Sequence, residues 1–470
     1  MAVDRRAFGI GLLAGTAALS AKAQVPAWTT PDEAAIRQIL TQRIDAQKAG
    51  VGIVVGIVDA QGRRYVSDGA RDKHDPGPLD AKTIFEIGSM TKVFTSLLLA
   101  IAVQTGEVAL DDPVEKHLPA GVHVPQRNGR QITLLDLATH SSGLPRLPTN
   151  LAPKDPANPY ADYTPEMLWA FLAGYQLPRD IGSRYEYSNL GAGLLGQALC
   201  HRACMTYGDL VRRRITSPLG MASTTAELSP AQRMRLAPGH NGALQRVHGW
   251  DIPTLAGAGA LFSDAEDVLG FLSAELGFTP SPLTAAMAAQ LAPRRPGPAP
   301  NVDVALAWHV TRTASGRQIV WHNGGTGGYR TFMGFDPTSR VGVVVLTNVA
   351  NEVGGDDIGF HLLAGDPLQT PPPPPKARTA ISLPAETLDG LVGTYAYNAQ
   401  VFLSITREGD QLFAQITGQA RYPIFPESRD DVFWKVVDAQ ASFQRGPDGR
   451  AMGLVFRQGG GELRAVRTGP

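Results

Sequence analysis

From Val93 to Val103 the chain reads Val-Phe-Thr-Ser-Leu-Leu-Leu-Ala-Ile-Ala-Val, with almost no polar residue on any helical face. A helix that is apolar all round belongs inside a protein, and this run is shorter than the roughly 20 residues needed to span a membrane. The fold is therefore built around a helix that begins near Gly88-Ser89 and runs into the core. Its entrance is polar. Ser89 and Lys92 stand one turn apart on one face, so hydroxyl and ammonium can touch. Burial disfavours the charged form of a lysine, and the positive end of the helix dipole pushes the same way. A lysine that gives up its proton near neutral pH can activate a serine as a nucleophile. Ser-x-x-Lys also arises by chance as a surface pair. This one is the only Ser-x-x-Lys in the chain and sits at a buried helix start, which favours chemistry.

A chain of 470 residues exceeds one compact core and points to two or three domains. Its 43 basic and 43 acidic residues balance, so no electrostatic argument supports nucleic acid or an anionic membrane as partner. Cys200 and Cys204, four apart in an expected helix, read as small apolar fillers. They match no zinc spacing and no His-Glu-x-x-His is present, so neither a metal nor another cofactor is expected. Residues 1–23 have the form of an export signal: Arg5-Arg6, an apolar stretch from Ile10 to Ser20, then Ala21-Lys22-Ala23 as a cleavage site. Asp4-Arg5-Arg6-Ala7-Phe8 is similar to a twin-arginine signal, with an ordinary secretory signal as the alternative. The mature protein is expected in the periplasm or outside a bacterial cell, with no stable membrane span after the signal.

Thr30-Pro31-Asp32-Glu33 reads as a helix start with Thr30 as N-cap, the helix running to about Ala49-Gly50. Val51 to Val58 and Arg63 to Ser67 form a hairpin about Asp59-Ala60-Gln61-Gly62. Helices capped at Thr133, Thr164 and Ser263 follow, and strands resume at Gln318 to His322, Tyr329 to Phe335 and Val341 to Thr347. The order implies one sheet built from both ends of a domain, flanked by helices and interrupted by a helical subdomain. Pro371-Pro372-Pro373-Pro374-Pro375 is a stiff spacer, and beyond Leu383 only short alternating strands remain. The expected division is 24–365, a linker at 366–382, and a small all-β barrel domain at 383–470 with no evident nucleophile.

A serine nucleophile also needs a proton carrier, an oxyanion site and a substrate anchor. Tyr187-Ser188-Asn189 places a phenol and an amide on a loop ahead of a helix at Leu190 to Leu199. His322-Asn323-Gly324-Gly325 ends one strand, and its glycines let backbone N–H groups approach a ligand. Alone, the first is more often a structural loop and the second a tight hairpin.

Ser89-Met90-Thr91-Lys92, Tyr187-Ser188-Asn189 and His322-Asn323-Gly324, in this order, resemble the three motifs of serine penicillin-recognising enzymes. Class C β-lactamases, DD-carboxypeptidases/endopeptidases and related esterases are the relatives this implies. Leu137-Ala138-Thr139-His140-Ser141-Ser142-Gly143-Leu144-Pro145 and Gly257-Ala258-Gly259-Ala260-Leu261-Phe262-Ser263 agree with it. The likeness covers roughly residues 30–365. Residues 385–470, with Leu391-Val392-Gly393-Thr394-Tyr395, resemble a lipocalin-like module appended to such hydrolases. The implied fold is α+β and β-lactamase/DD-peptidase-like: an antiparallel sheet flanked by helices, a helical subdomain, and the barrel.

The resemblance implies that Ser89 attacks the carbonyl carbon to form an acyl-enzyme, while Lys92 and Tyr187 share its proton. Asn189 would hold the substrate amide or Lys92, and the N–H groups of Ser89 and Gly325 would form the oxyanion hole. His322, Asn323 and Gly324 would border the substrate. Two departures stand out. His322 occupies the place of a permanent lysine, and Asn351-Glu352-Val353-Gly354-Gly355-Asp356-Asp357 contains no arginine to meet a substrate carboxylate. An imidazolium at His322 would help an anionic substrate, so binding should improve as pH falls through about 6.5. Three substrates stay open for an exported serine acyl-hydrolase: β-lactams, D-Ala-D-Ala peptidoglycan peptides, and esters. A penicillin-binding sensor that does not turn over would need a coupling span, and none follows residue 23.

Overall fold

The computed structural model describes residues 28–469, apart from 75–76, 78, 352, 373–377, 399–400, 418–420, 436–438 and 459–460. The expected export signal and part of the proline run lie outside the described residues. Two hydrophobic cores follow one another along the chain, one around a sheet and one inside a barrel.

The sheet has eight strands: β1 (Gly52–Asp59), β2 (Gly62–Gly69), β3 (Arg295–Pro296), β4 (Val302–Val304), β5 (His309–Arg312), β6 (Gln318–Gly325), β7 (Arg330–Asp336) and β8 (Val341–Thr347). Their spatial order is β2-β1-β8-β7-β6-β5-β4-β3, so the first hairpin docks on the last strand. All pairings are antiparallel, with Val55 opposite Val345. The sheet built from both ends of the domain is thus present. Its central strands are apolar at consecutive positions because both faces are covered. Val54, Val344 and Met333 face Phe94 and Leu97 of the helix Thr91–Gln104 and Val268 of the helix Ala265–Glu275. Val55, Val345 and Phe332 face Ile36 and Leu40 of the helix Glu33–Thr41 and Ile358 of the helix Asp356–Ala364.

Helix starts follow capping chemistry, with two shifts from expectation. Thr133 and Thr164 cap as expected, Pro165 filling the first turn behind Thr164. The first helix is capped by Asp32, whose carboxylate accepts the Ala35 N–H at 2.9 Å, while Thr30 donates instead to the Leu362 carbonyl. Likewise Asp264, rather than Ser263, accepts the Asp267 N–H. In both cases a carboxylate competes better than a hydroxyl for an N-terminal N–H. The first helix ends in a wide turn at Gln42–Ala46, where Arg43 pairs with Asp357 at 2.6 Å in a buried bridge. Gln369 joins it, its N–H donating to Asp357, so residues just past 366 still belong to this core. Of the cysteines, Cys200 packs partly against the core as a filler would. Cys204 is exposed and ends its helix at φ 52°, so the filler reading does not extend to it.

The C-terminal strands Gly393–Ala396, Phe402–Glu408, Gln411–Ile416, Arg421–Pro426, Asp431–Trp434, Ala439–Arg445, Ala451–Gln458 and Gly461–Gly469 close into an eight-stranded barrel. Leu403, Ile405, Leu412 and Ala414 fill it, as the alternation of the sequence requires. Closure removes the exposed edges that an open sheet of this length would present.

Candidate active site

The polar entrance of the helix Thr91–Gln104 is a 3-10 turn at Gly88–Met90, and β6 lies hard against it. Gly88 has φ +50°, and a Cβ there would stand 2.7 Å from the Gly325 nitrogen. A Cβ on Gly324 would stand 2.0 Å from the Ile87 carbonyl oxygen. Only glycine permits this approach, which brings the Gly325 backbone beside the turn that carries half-buried Ser89. Thr331 fastens the contact by donating to the Ile87 carbonyl at 3.0 Å. Underneath, buried Glu86 accepts the Trp250 N–H at 3.1 Å through one oxygen, while the other has no hydrogen-bond partner. Burial pushes its pKa up to about 7.

Lys92 is 1 % exposed. Its amine lies 2.9 Å from the Ser89 hydroxyl, 2.9 Å from Asn189 Oδ1 and 2.7 Å from the Ala258 carbonyl oxygen. Burial, with a smaller push from the Arg146 charge, holds its pKa well below the usual lysine range. A neutral amine has two hydrogens and one lone pair. Asn189 Oδ1 and the Ala258 carbonyl can only accept, so a neutral amine would give both hydrogens to them and turn its lone pair toward Ser89.

Tyr187 completes the group. Its phenol bonds to Ser89, and burial raises its pKa, so it stays protonated at neutral pH. The Lys92 amine is 4.8 Å from the ring centroid and the Arg146 guanidinium carbon 5.1 Å. Tyr187 is placed by Ser188, which caps the helix Asn189–Ala203 by accepting the Gly191 N–H and donates to the Pro145 carbonyl. His140 supports both residues. Its Nδ1 accepts the Ser188 N–H at 3.2 Å, and its ring lies 4.5 Å from the Tyr187 ring. His140 has φ 55°, a left-handed conformation that costs a non-glycine residue about 1–2 kcal/mol.

Ser89, Lys92, Tyr187 and Asn189 are thus brought together. His322 is also there, 6.3 Å from Tyr187 between ring centroids, but it is fully buried. Its Nδ1 donates to the Asn323 carbonyl at 2.6 Å, leaving Nε2 as a bare lone pair with no partner. Burial, the neighbouring His309 and Lys92 keep its pKa well below 6.5, so the imidazolium expected near that pH does not form there. Asn323 points its side chain to the other face of the sheet, where its amide donates to Asp356 at 2.5 Å. Only its backbone borders the cleft. Gly325 is exposed, so its backbone is open to solvent beside the Ser89 turn.

Several contributors carry no signal as single residues. Ala258 offers only a carbonyl, and His309 bonds to the Tyr185 hydroxyl while its ring centroid lies 5.2 Å from that of His322. The Tyr160 hydroxyl accepts from Asn189 Nδ2. His140 and Ala258 lie inside stretches that agreed with the family pattern, which was the available clue.

A chain with this fold and these groups is a serine hydrolase of the penicillin-recognising superfamily. It belongs to the β-lactamase family, whose model, described as Beta-lactamase, matches residues 36–365. Residues 377–465 match a domain of unknown function, DUF3471. The chain is 31% identical over 343 residues to the D-alanyl-D-alanine-carboxypeptidase/endopeptidase AmpH of Escherichia coli (strain K12), covering 68% of this chain and 87% of that protein. Penicillin-binding protein 4* of Bacillus subtilis (strain 168) is 25% identical over 428 residues, covering 86% and 91%. Among solved structures, the β-lactamase/D-alanine carboxypeptidase from Yersinia pestis complexed with citrate superposes with a TM-score of 0.59 at 26% identity, covering 67% of this chain and 92% of that one.

Proposed function

We propose that the protein is an exported acyl-hydrolase in which Ser89 is the nucleophile and Lys92 the base, acting on D-Ala-D-Ala-type peptides and β-lactams. The observation that carries this reading is the buried Lys92 amine 2.9 Å from the Ser89 hydroxyl, its other two partners being oxygens that can only accept. Ser89 Oγ attacks the carbonyl carbon as its proton passes to Lys92. The charge developing on the carbonyl oxygen is met by the N–H groups of Ser89 and Gly325. On collapse the carbon–nitrogen bond breaks, and the departing amine takes a proton from Lys92 relayed through the Tyr187 hydroxyl. Water then attacks the acyl-enzyme, losing its proton to the same pair and returning Ser89. Tyr187 serves better as relay than as base, because burial raises its pKa while it lowers that of Lys92.

The names of the relatives support the amide substrates. A neutral His322 favours a second reading, an esterase, because it gives an anionic substrate no charge at that position. Export to the periplasm or medium remains part of the proposal, resting on residues 1–23. Intact-mass analysis after incubation with a penicillin tests the site, together with turnover of an acyl-D-Ala-D-Ala peptide and a chromogenic ester. One adduct on Ser89 and release of D-alanine are expected. An adduct on another serine would overturn the nucleophile, and turnover of the ester alone would select the esterase.

A further inference from the structure

We propose that Arg146 is the specificity-determining cation of this site and binds a carboxylate on the substrate. The inference rests on the hydrolase reading above and deepens it by naming the class of substrate preferred.

The backbone of Arg146 is fixed at the site. Its carbonyl accepts the N–H groups of Asn189 at 3.0 Å and Leu190 at 3.2 Å, which ties it to the start of the helix that follows Tyr187. Its guanidinium carbon lies 5.1 Å from the Tyr187 ring centroid, a stacking that preorganises the planar group. The side chain is exposed, and among the described residues it makes no hydrogen bond or ion pair. Its charge nevertheless reaches Lys92, His140, Tyr160, Tyr185 and Tyr187.

Other basic groups nearby are buried or already engaged. Burial disfavours the charged forms of Lys92 and His322, and both lie away from solvent. Arg330 donates to the Thr326 and Tyr329 carbonyls at 3.0 Å and faces Asp356. Arg179 and Arg184 pair with Glu186. Among the described residues, an anion approaching Ser89 therefore meets Arg146 as an unpaired cation. A guanidinium takes a carboxylate through two parallel N–H bonds, and an exposed one loses little hydration in doing so. Here the fixed charge comes from the loop after Pro145, not from the strand that carries His322.

The test compares kcat/KM for an acyl-D-Ala-D-Ala peptide with its C-terminal amide, and for benzylpenicillin with its methyl ester, in wild type and Arg146→Ala. Loss of a charged hydrogen-bond partner should lower kcat/KM about ten- to hundredfold for the carboxylates, chiefly through KM. The amide and the methyl ester should change less than about twofold. Arg146→Lys should restore part of the preference, since it keeps the charge but not the fork. Equal losses on charged and neutral substrates, with a shifted pH profile, would overturn the proposal and make Arg146 a tuner of Lys92. No loss on either would overturn it outright. Wild type that acylates Ser89 but shows no preference for the carboxylate sinks only the Arg146 assignment. Wild type that fails to acylate Ser89 sinks the hydrolase reading with it.

Discussion

The Lys92 amine stands 2.9 Å from the Ser89 hydroxyl, and its other two partners, Asn189 Oδ1 and the Ala258 carbonyl, can only accept. One amine is thereby held by two oxygens that come from separate helices, the arrangement the proposed base needs. Lys92→Ala should slow acylation about a hundredfold or more, as expected for loss of a positioned base. The pH profile makes the sharper test. Burial pushes the Lys92 pKa well below the usual lysine range, toward the free base that the proposed mechanism requires. The acylation rate should be level from neutral pH upward and fall on the acid side as Lys92 protonates. A rate that keeps climbing to about pH 10, where ordinary lysines titrate, would show that the amine is charged and is not the base.

His322 makes an opposite kind of prediction. Because burial keeps the ring neutral well below 6.5, the preference for anionic over neutral substrates should not rise as pH falls from about 8 to about 6. His322→Lys would place an amine in a fully buried position beside His309 and Lys92. It should lower Tm and gain no fixed charge, since burial strips a lysine of its proton. Thermal melts with substrate ratios at several pH values decide it, and a stable variant with sharply improved carboxylate binding would contradict the burial argument.

Glu86 links the site to stability. Its folded pKa is raised to about 7 from an ordinary value of 4.5. Between those two values the folded state holds more protons than the unfolded one, so stability falls as pH rises through the window. The full shift corresponds to about 3 kcal/mol lost by pH 8 relative to pH 4. Glu86→Gln keeps an acceptor for the Trp250 N–H but cannot ionise. It should be more stable than wild type above about pH 7 and indistinguishable from it below about pH 5. Denaturant midpoints across pH measure this, and parallel curves for the two proteins would show that Glu86 does not titrate in that window.

The two cores allow the barrel to be removed. A chain ending after Thr370 keeps Leu368 and Gln369, which pack on the helix Asp356–Ala364 and on Asp357. It should unfold cooperatively and still be acylated at Ser89. A chain ending at Asp366 loses the Gln369 N–H bond to Asp357 and should be less stable by about 1 kcal/mol or more. Calorimetry of both distinguishes these outcomes, and an insoluble longer fragment would mean that the barrel shares the hydrolase core.

Local patterning carried much of the fold. The all-round apolar run from Val93 must be an internal helix, alternation past Leu383 must be a half-buried sheet, and Thr133 and Thr164 announce helix starts. Each depends on a period or a cap a few residues long. Misplaced starts occurred where two capping side chains competed, at Thr30 against Asp32 and at Ser263 against Asp264, because the winner depends on what else each can bond.

By itself, the sequence determined that a serine and a lysine share one face at a buried helix entrance, because helical spacing and burial need only neighbouring residues. It also determined that Tyr187-Ser188-Asn189 and the glycine-rich strand end were candidates to join them. Only the tertiary structure decided how they are used. The Lys92 amine is held by Asn189 and Ala258, far away in the chain, so no local pattern could specify its orientation. Asn323 turned to Asp356 because strand residues alternate and the register of β6 against β7 selects which face each side chain takes. His322 is pushed toward its neutral form because the surrounding core excludes water from it, and the basic groups His309 and Lys92 disfavour a further positive charge. Ionisation depends on everything packed around a group, and packing is a property of the whole fold.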